Sequence, residues 1–444
     1  MSGWLDTIAA GVSDWSDTWS ARLDGSSPAE WALFFAPLLI LEVPQYYVPL
    51  AANVVAHLWR GRHGADTAPE ASVLDRRERV WPSVSVIVAG RNEAASIEAC
   101  IESLLDQNYP GLEIIIVDDH SEDATYEIAR RHARRGSIRV IRNREISGRT
   151  GRPTASNLGL RMATGEFIVS LDADTTFDLG LIEALIEPFD DPRIGVVAGN
   201  VLARNRETNL LTRLQTIEYA TSIDLHKRWT KMTGSTLQAS GAIGAFRRAA
   251  LLEIGGWDPE LAEDGDICLR LVKAGWRTTF APEAVALTDV PDTWRVIIGQ
   301  RTRWDRGGFR AYIAKHGRLL RPSSSTYGYA YGMWGELIFA TVLPLIYPVY
   351  VLWLLCQGFA VWSFVVLTSW ALYTLLAPLP LIAIALVSER TRDVHRLVGP
   401  ALLMPFYRAL MRWVKIRALV LELLRVRYED SFLPDTAWSH APRY

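Results

Sequence analysis

Long apolar runs stand on either side of a polar middle, a pattern that ties both flanks to lipid and leaves the centre to fold in water. "WALFFAPLLILEVPQYYVPLAANVVAHLW", Trp31 to Trp59, is long enough to cross a bilayer, although Glu42 and three prolines make it an irregular span. "MWGELIFATVLPLIYPVYVLWLLC" and "FVVLTSWALYTLLAPLPLIAIALV" are two further candidate spans, separated by a short link around Gly358. The start, "MSGWLDTIAAGVSDW", has no basic n-region, and the first apolar run is too long for an h-region, so a cleaved signal peptide is not expected. Basic clusters follow the first run at "RGRHG" (60–64) and "RRER" (76–79), and the last at "ERTRDVHR" (389–396). The positive-inside rule places these clusters in the cytoplasm. The N-terminus is then outside, and residues 65 to 325 form a cytosolic domain.

The segment 402–424 is apolar but carries Arg408, Arg412, Lys415 and Arg417. It reads as an amphipathic helix on the cytoplasmic face, with a fourth span as the alternative. The first thirty residues, with Trp4, Trp15 and Trp19, read as a short interfacial helix on the other side. The expected division is therefore an N-terminal interfacial helix (1–29), a transmembrane helix (30–60) and a cytosolic domain (75–290). Interfacial helices (291–325), two transmembrane helices (326–388) and a cytoplasmic-face helix with a tail (389–444) follow. A formal net charge of −2 gives no global pull toward nucleic acid. Cys100, Cys268 and Cys356 lie far apart, which argues against a disulfide framework and fits a reducing compartment. No pair of Cys or His has zinc-site spacing.

In the middle, strand-like and helix-like segments alternate. "SVSVIVAG" (83–90), "EIIIVDD" (113–119), "IRVIRN" (138–143) and "EFIVSLDAD" (166–174) read as strands. Ile97, Cys100, Ile101, Leu104 and Leu105 recur at helical spacing, and "EDATYEIARRHARR" (122–135) reads as a second helix. Such alternation implies an α/β domain with a mostly parallel sheet covered on both faces. Ligands of such sheets bind at the carboxyl ends of the strands.

Acidic residues gather at those ends. Asp118 and Asp119 close the second strand, and Asp172 and Asp174 the fourth. Residues i and i+2 of a strand point the same way, so Asp172 and Asp174 can aim at one point. Adjacent carboxylates suit Mg2+ or Mn2+, which bind one or two carboxylates plus substrate phosphate oxygens. The same aspartates also fit ordinary turn chemistry. Glu263 and Asp264 stand at a helix N-terminus, where carboxylates are favoured by the dipole alone. "QASGAIGAFRR" (238–248) suits either close approach of a ligand to the backbone or tight packing.

These residues together resemble the processive family-2 glycosyltransferases, the membrane synthases of cellulose, chitin, hyaluronan and poly-N-acetylglucosamine. The resemblance covers about residues 80 to 310 and the flanking spans. "VAGRNEA" (88–94), "VDDHS" (117–121), "DAD" (172–174), "AED" (262–264) and "QRTRW" (300–304) occur in the family's order. The resemblance implies a GT-A-like domain inserted between transmembrane helices. It implies that Arg91, Glu93, Asp118 and Asp119 hold the uridine, that Asp172 contacts the nucleotide, and that Asp174 ligates Mg2+ or Mn2+ on the diphosphate. Asp264 would be the general base, beside Glu263. Arg152, in "GRPTASN", stands where a lysine is usual, and binds phosphate as a fork rather than a point charge. "AED" in place of "TED" changes only the residue before the acidic pair.

Gln300, Arg303, Trp304 and Gly307 share one helix face. Trp304 would stack on an acceptor sugar, Arg303 would meet the diphosphate, and Gln300 would hydrogen-bond a hydroxyl or phosphate. Arg301, Arg306 and Arg310 are then expected to face lipid or water. The implied reaction is inverting and processive, with UDP-N-acetylglucosamine favoured and UDP-glucose open, and synthesis coupled to export across the inner membrane. The partners are the UDP-sugar, the growing polysaccharide and lipid, with a second subunit or export protein helping to form a pore. A non-processive lipid-carrier transferase and a non-catalytic export scaffold are the alternatives.

Overall fold

The computed structural model describes residues 25–63, 81–136, 138–143, 151–323, 326–388 and 394–426, with isolated residues 13, 14, 17, 20 and 21 before them. The expected N-terminal interfacial helix with its tryptophans and the basic cluster 76–79 lie outside those residues, as does most of 389–396. The labelled helices are α1 (Val48–His63), α2 (Ile97–Leu105), α3 (Thr125–Arg134), α4 (Arg152–Met162), α5 (Leu210–Tyr219), α6 (Glu263–Lys273), α7 (Trp294–Gly308) and α8 (Met404–Leu423). The strands are β1 (Val84–Gly90), β2 (Glu113–Asp118), β3 (Arg139–Arg142), β4 (Phe167–Asp172), β5 (Thr176–Phe177), β6 (Ile194–Ala203), β7 (Ile243–Arg247) and β8 (Arg277–Thr288).

They form one sheet in the order β3-β2-β1-β4-β7-β6-β8-β5. β3, β2, β1 and β4 run parallel, as their alternation with helices requires. The sheet as a whole is mixed, which corrects the expectation of a mostly parallel one. β7 pairs antiparallel with both β4 and β6, and β5 antiparallel with β8, whereas β6 and β8 are parallel. The small-residue run 238–248 supplies β7.

Each parallel strand is apolar on both sides. Val84, Val86 and Val88 pack with Ile97, Ile101 and Leu104 of α2 on one face. Ile87 and Ala89 pack with Ala155 and Leu160 of α4 on the other. A period of two between faces is what a buried strand requires. Each fully buried side chain of this size contributes roughly 1.5–3 kcal/mol. The carboxyl ends come level with one another: Gly90 is in register with Asp118, and Ala89 with Asp172.

A third apolar cluster joins the sheet domain to the flanking helices. Leu211, Leu214 and Ile217 of α5 and Ile297 of α7 pack with Leu381 and Ile384, and with Met404 and Tyr407 of α8. Two continuous helical rods, Tyr327–Cys356 and Phe359–Val387, are long and apolar enough to cross a membrane by length and composition. The segment 30–60 is not among such helices. It is divided into Pro28–Phe34, a π-helical stretch Pro37–Tyr47 and α1, and a proline inside the π-helical stretch, Pro44, cannot donate to a backbone ladder. α1 is tied to the domain by Asn53, whose amide donates to the carbonyl of Leu225 at 2.8 Å.

Candidate active site

The loops after β1 and β2 are cross-linked before they reach any ligand. The Asp119 N–H donates to the carbonyl of Gly90 (2.9 Å), the Asn92 N–H to Ser121 Oγ (2.9 Å) and the Glu122 N–H to Asn92 Oδ1 (2.8 Å). Asn92 (φ 59°) and His120 (φ 60°) both adopt the left-handed conformation. Two such residues facing each other across two strand ends are a feature of strained functional loops, and sequence reading passed over both. Gly90 has no room for a side chain: a Cβ there would lie 2.6 Å from that of Ala173, between Asp172 and Asp174.

Within this frame the acids differ. The Asp118 carboxylate is completely buried; it accepts from the Ser121 N–H and pairs with Arg142 at 3.2 Å. Asp119 accepts from Asn143 Nδ2 (2.7 Å) and from the Gly151 N–H (2.6 Å), the residue that precedes α4. Arg91 lies farther out and pairs with Glu122 at 3.2 Å. Burial pushes the Glu93 carboxyl up to about 7, against a hydrogen bond from Ser96, with Asp174 and Asp172 adding to the rise.

β4 ends at Asp172, and Asp174 belongs to the turn that follows. The strand periodicity invoked to align Asp172 with Asp174 therefore does not apply. The turn brings them together all the same: burial holds the Asp174 carboxyl above its ordinary range, and the neighbouring charge of Asp172 adds to this. The backbone of that turn is held by Arg204, which donates to the Asp174 carbonyl (3.1 Å) and pairs with Asp289 (2.7 Å). Among the described residues no set of three or more His, Cys, Asp or Glu side chains is grouped to hold a metal by itself. The donors present are the carboxylate of Asp174, desolvated in its turn, and that of Asp172 beside it, a set that fits a hard divalent cation completed by substrate oxygens.

Arg152, the first residue of α4, is turned inward. Its Nε donates to Asp172 Oδ1 (2.7 Å), its Nη1 to Glu263 Oε1 (2.8 Å), and its Nη2 to the carbonyl of Gly241. The guanidinium expected on a diphosphate thus ties the end of β4 to the start of α6. Burial pushes the Glu263 carboxyl up to about 7, with Arg152 opposing. Asp264 is held by different donors. Its Oδ2 accepts from Gln238 Nε2 (2.7 Å) and the Gly241 N–H (3.0 Å), and its Oδ1 from the Gly265 N–H (2.8 Å). Tyr312 donates to Gln238 Oε1 (3.0 Å), and Lys227 Nζ to Ser240 Oγ (2.7 Å). Burial pushes the Lys227 ammonium down to about 8, with Asp264 opposing. Sequence reading named the loop but none of these four side chains.

Gln300, Arg303 and Trp304 all lie on α7, and Trp304 is 44% exposed. Gly307, one turn further on, packs directly on the segment before the acidic pair: its Cβ would lie 3.0 Å from that of Ala262. The α7 face with Trp304 and the start of α6 with Asp264 are therefore neighbours.

The arginines expected in lipid or water are not there. Arg301 is 7% exposed and pairs with Glu218 at 2.6 Å, and Arg306 is 1% exposed and pairs with Glu422 at 2.8 Å. Arg310 meets the same Glu422 at 2.6 Å. Buried guanidinium groups need paired, hydrogen-bonded carboxylates, and α5 and α8 supply them. The C-terminal helix α8 correspondingly packs along α7, with Lys415 on Asp305 (3.2 Å).

The sequence profile described as "Glycosyltransferase like family 2" matches residues 82–307, just over half of the chain. The poly-beta-1,6-N-acetyl-D-glucosamine synthase of Staphylococcus epidermidis is 32% identical over 245 residues, covering 55% of this chain and 57% of that protein. The enzyme of the same name from Staphylococcus aureus (strain COL) matches to the same extent. The chain thus spans little more than half the length of these curated relatives. A mannosyltransferase from Pyrobaculum calidifontis, solved with GDP-Man and Mn2+, superposes with a TM-score of 0.55 at 22% identity, over 86% of this chain and 99% of that one. That likeness is one of fold, GT-A-like with a mixed sheet. With strand ends, acidic turn and α7 arranged as above, the profile match shows that the chain belongs to the family-2 glycosyltransferases.

Proposed function

We propose that the chain is an inverting, processive β-glycosyltransferase that draws on a UDP-sugar, UDP-N-acetylglucosamine first of all, and extends a polysaccharide at the inner membrane. The observation that carries this reading is the seating of Gly307 on Ala262. It sets the acceptor helix against the acidic pair, while Arg152 joins that pair to Asp172. The names of the relatives support N-acetylglucosamine as the sugar.

Arg91, Glu93 and Asp119 would line the nucleotide pocket, and enclosed Asp118 would position its wall. Asp172 would contact the nucleotide, and Asp174 would hold Mg2+ or Mn2+, which would offset charge on the diphosphate. Arg303 would meet the same diphosphate, with Gln300 beside it and the acceptor sugar stacked on Trp304. The acceptor hydroxyl gives its proton to Asp264 as its oxygen bonds to the anomeric carbon. The bond from that carbon to the diphosphate breaks, and UDP leaves with the electron pair. Attack from the face opposite the leaving group inverts the configuration. Glu263 and Arg152 hold the geometry around the base.

Processivity needs a place for the product. A cavity of about 210 Å³ lies between the sheet domain and the rods, lined by Gln45, Tyr46, Ser222, His226, Glu336 and Arg408 among others. Three π-helical stretches contribute to its wall, Pro37–Tyr47, Ala220–Leu225 and Glu336–Val342. The lining mixes these polar groups with Pro49, Leu50, Leu225 and Pro380, a mixture that would suit the hydroxyls and apolar faces of a sugar chain. On this reading the transferase domain (75–290) is cytosolic, 291–325 lies at the interface, the rods of 326–388 cross the membrane, and 389–444 returns to the cytoplasmic face.

The test is Asp264→Asn. Removing the base should lower UDP release by about 10²–10⁴-fold while Mn2+-dependent UDP binding stays within about twofold. Near-normal turnover would remove Asp264 from the mechanism. Single-sugar products from the purified chain in lipid would remove processivity.

A further inference from the structure

We infer that Glu218 and Tyr407 are positioning residues for the acceptor: through Arg301 they fix the plane of Trp304. This rests on the reading of Trp304 as the acceptor platform. The Arg301 guanidinium lies over the Trp304 ring, 4.2 Å from its centroid, so one face of the indole is covered by protein. The indole is nonetheless 44% exposed. Arg301 itself cannot move freely. Its Nη2 donates to Glu218 Oε2 at 2.6 Å, and its guanidinium carbon also lies over the Tyr219 ring, 5.8 Å from the centroid. Tyr407 of α8 donates its hydroxyl to the same Glu218 oxygen at 2.6 Å.

The set draws on three elements: Glu218 and Tyr219 from α5, Arg301 and Trp304 from α7, and Tyr407 from α8. An indole hinged at two side-chain torsions would otherwise sample several rotamers, and a stacking surface has value only in the orientation that matches the sugar ring. A guanidinium held flat by a carboxylate gives it a fixed backing. Glu218 makes its bond to Arg301 across 83 residues of sequence and its bond to Tyr407 across 189. The orientation of Trp304 is thus a property of the assembled chain rather than of the α7 motif.

The experiment is a double-mutant cycle on the full chain in lipid nanodiscs, with UDP-N-acetylglucosamine as donor and a soluble oligosaccharide of N-acetylglucosamine as acceptor. Glu218→Gln should raise the acceptor KM by about 10-fold and leave the donor KM within about twofold. Tyr407→Phe should raise the acceptor KM less, in the same direction. In a Trp304→Ala background, Glu218→Gln should add nothing, because the ring it orients is gone. Mn2+-dependent UDP binding reports that each variant is folded. Additive effects of Glu218→Gln and Trp304→Ala, or a donor KM that rises with the acceptor KM, would overturn the inference while leaving the acceptor platform in place. An acceptor KM unmoved by Trp304→Ala alone would overturn the platform, and this inference with it.

Discussion

A guanidinium carries three nitrogens in a fixed fork, and Arg152 spends each on a different partner: Asp172, Glu263 and the Gly241 carbonyl. A lysine has one ammonium on a flexible stem and cannot hold all three. Arg152→Lys should therefore weaken the joint between β4 and α6. At about 1.5–3 kcal/mol for each charge-assisted hydrogen bond lost, UDP-release kinetics should show kcat/KM reduced by about 10–100-fold. Glu263 contributes to the pH dependence, as does Glu93. Burial raises the Glu263 carboxyl from 4.5 to about 7, with Arg152 opposing. Between those values the folded chain keeps a proton that the unfolded chain releases, so this group favours folding below pH 4.5 and stops doing so as pH rises through about 7. Glu263→Gln should flatten that part of the thermal midpoint against pH in detergent; an unchanged slope would show that another group sets it. Sequence reading located the acidic pairs because carboxylates at strand ends are local patterns. It misaligned Asp174, since nothing in "LDADTT" marks the end of the strand at Asp172, and it did not show the partners of Arg152, which stand 20, 111 and 89 residues away.

The α7 helix shows the same divide at the scale of elements. The resemblance at "QRTRW" pointed to Gln300, Arg303 and Trp304, and helical numbering put them on one face with Gly307, but the sequence did not place the other arginines of this segment. Their partners Glu218 and Glu422 stand 83 and 116 residues away, and no helical period contains them. β1 to β4 were legible from apolar runs bounded by turns. β7 was not, since a short strand rich in glycine and alanine resembles a loop. Gly307 lets α7 and the start of α6 touch, with a Cβ there only 3.0 Å from Ala262. Gly307→Val should force the two apart at a cost of about 1–3 kcal/mol, seen as a lower thermal midpoint. On the function proposed above, polymer synthesis should fall further than the stability loss explains, because the α7 helix that carries Trp304 is pushed away from the start of α6. A variant as active as the parent would show that this contact does not set the acceptor site.

At the scale of the whole molecule, the two rods meet at a tight turn through Gln357 and Gly358, next to exposed Cys356. Cys100 and Cys268 are buried in the sheet domain, and burial pushes the Cys268 thiol up to about 12. On the topology proposed above, a membrane-impermeant maleimide added to intact cells should label Cys356 and leave the other two untouched. Labelling only after the membrane is opened would place the turn on the inner side and refute the crossing. The position of α8 carries one more consequence. Its Tyr407 and Glu422 reach back to Glu218, Arg306 and Arg310, yet residues 404–423 leave the ribosome after both rods. A nascent chain that has completed its sheet domain therefore still lacks Glu422, the carboxylate that Arg306 and Arg310 meet, and the Tyr407 hydroxyl that reaches Glu218. The packing around α7 is thereby completed only once the segment that follows both rods has been made.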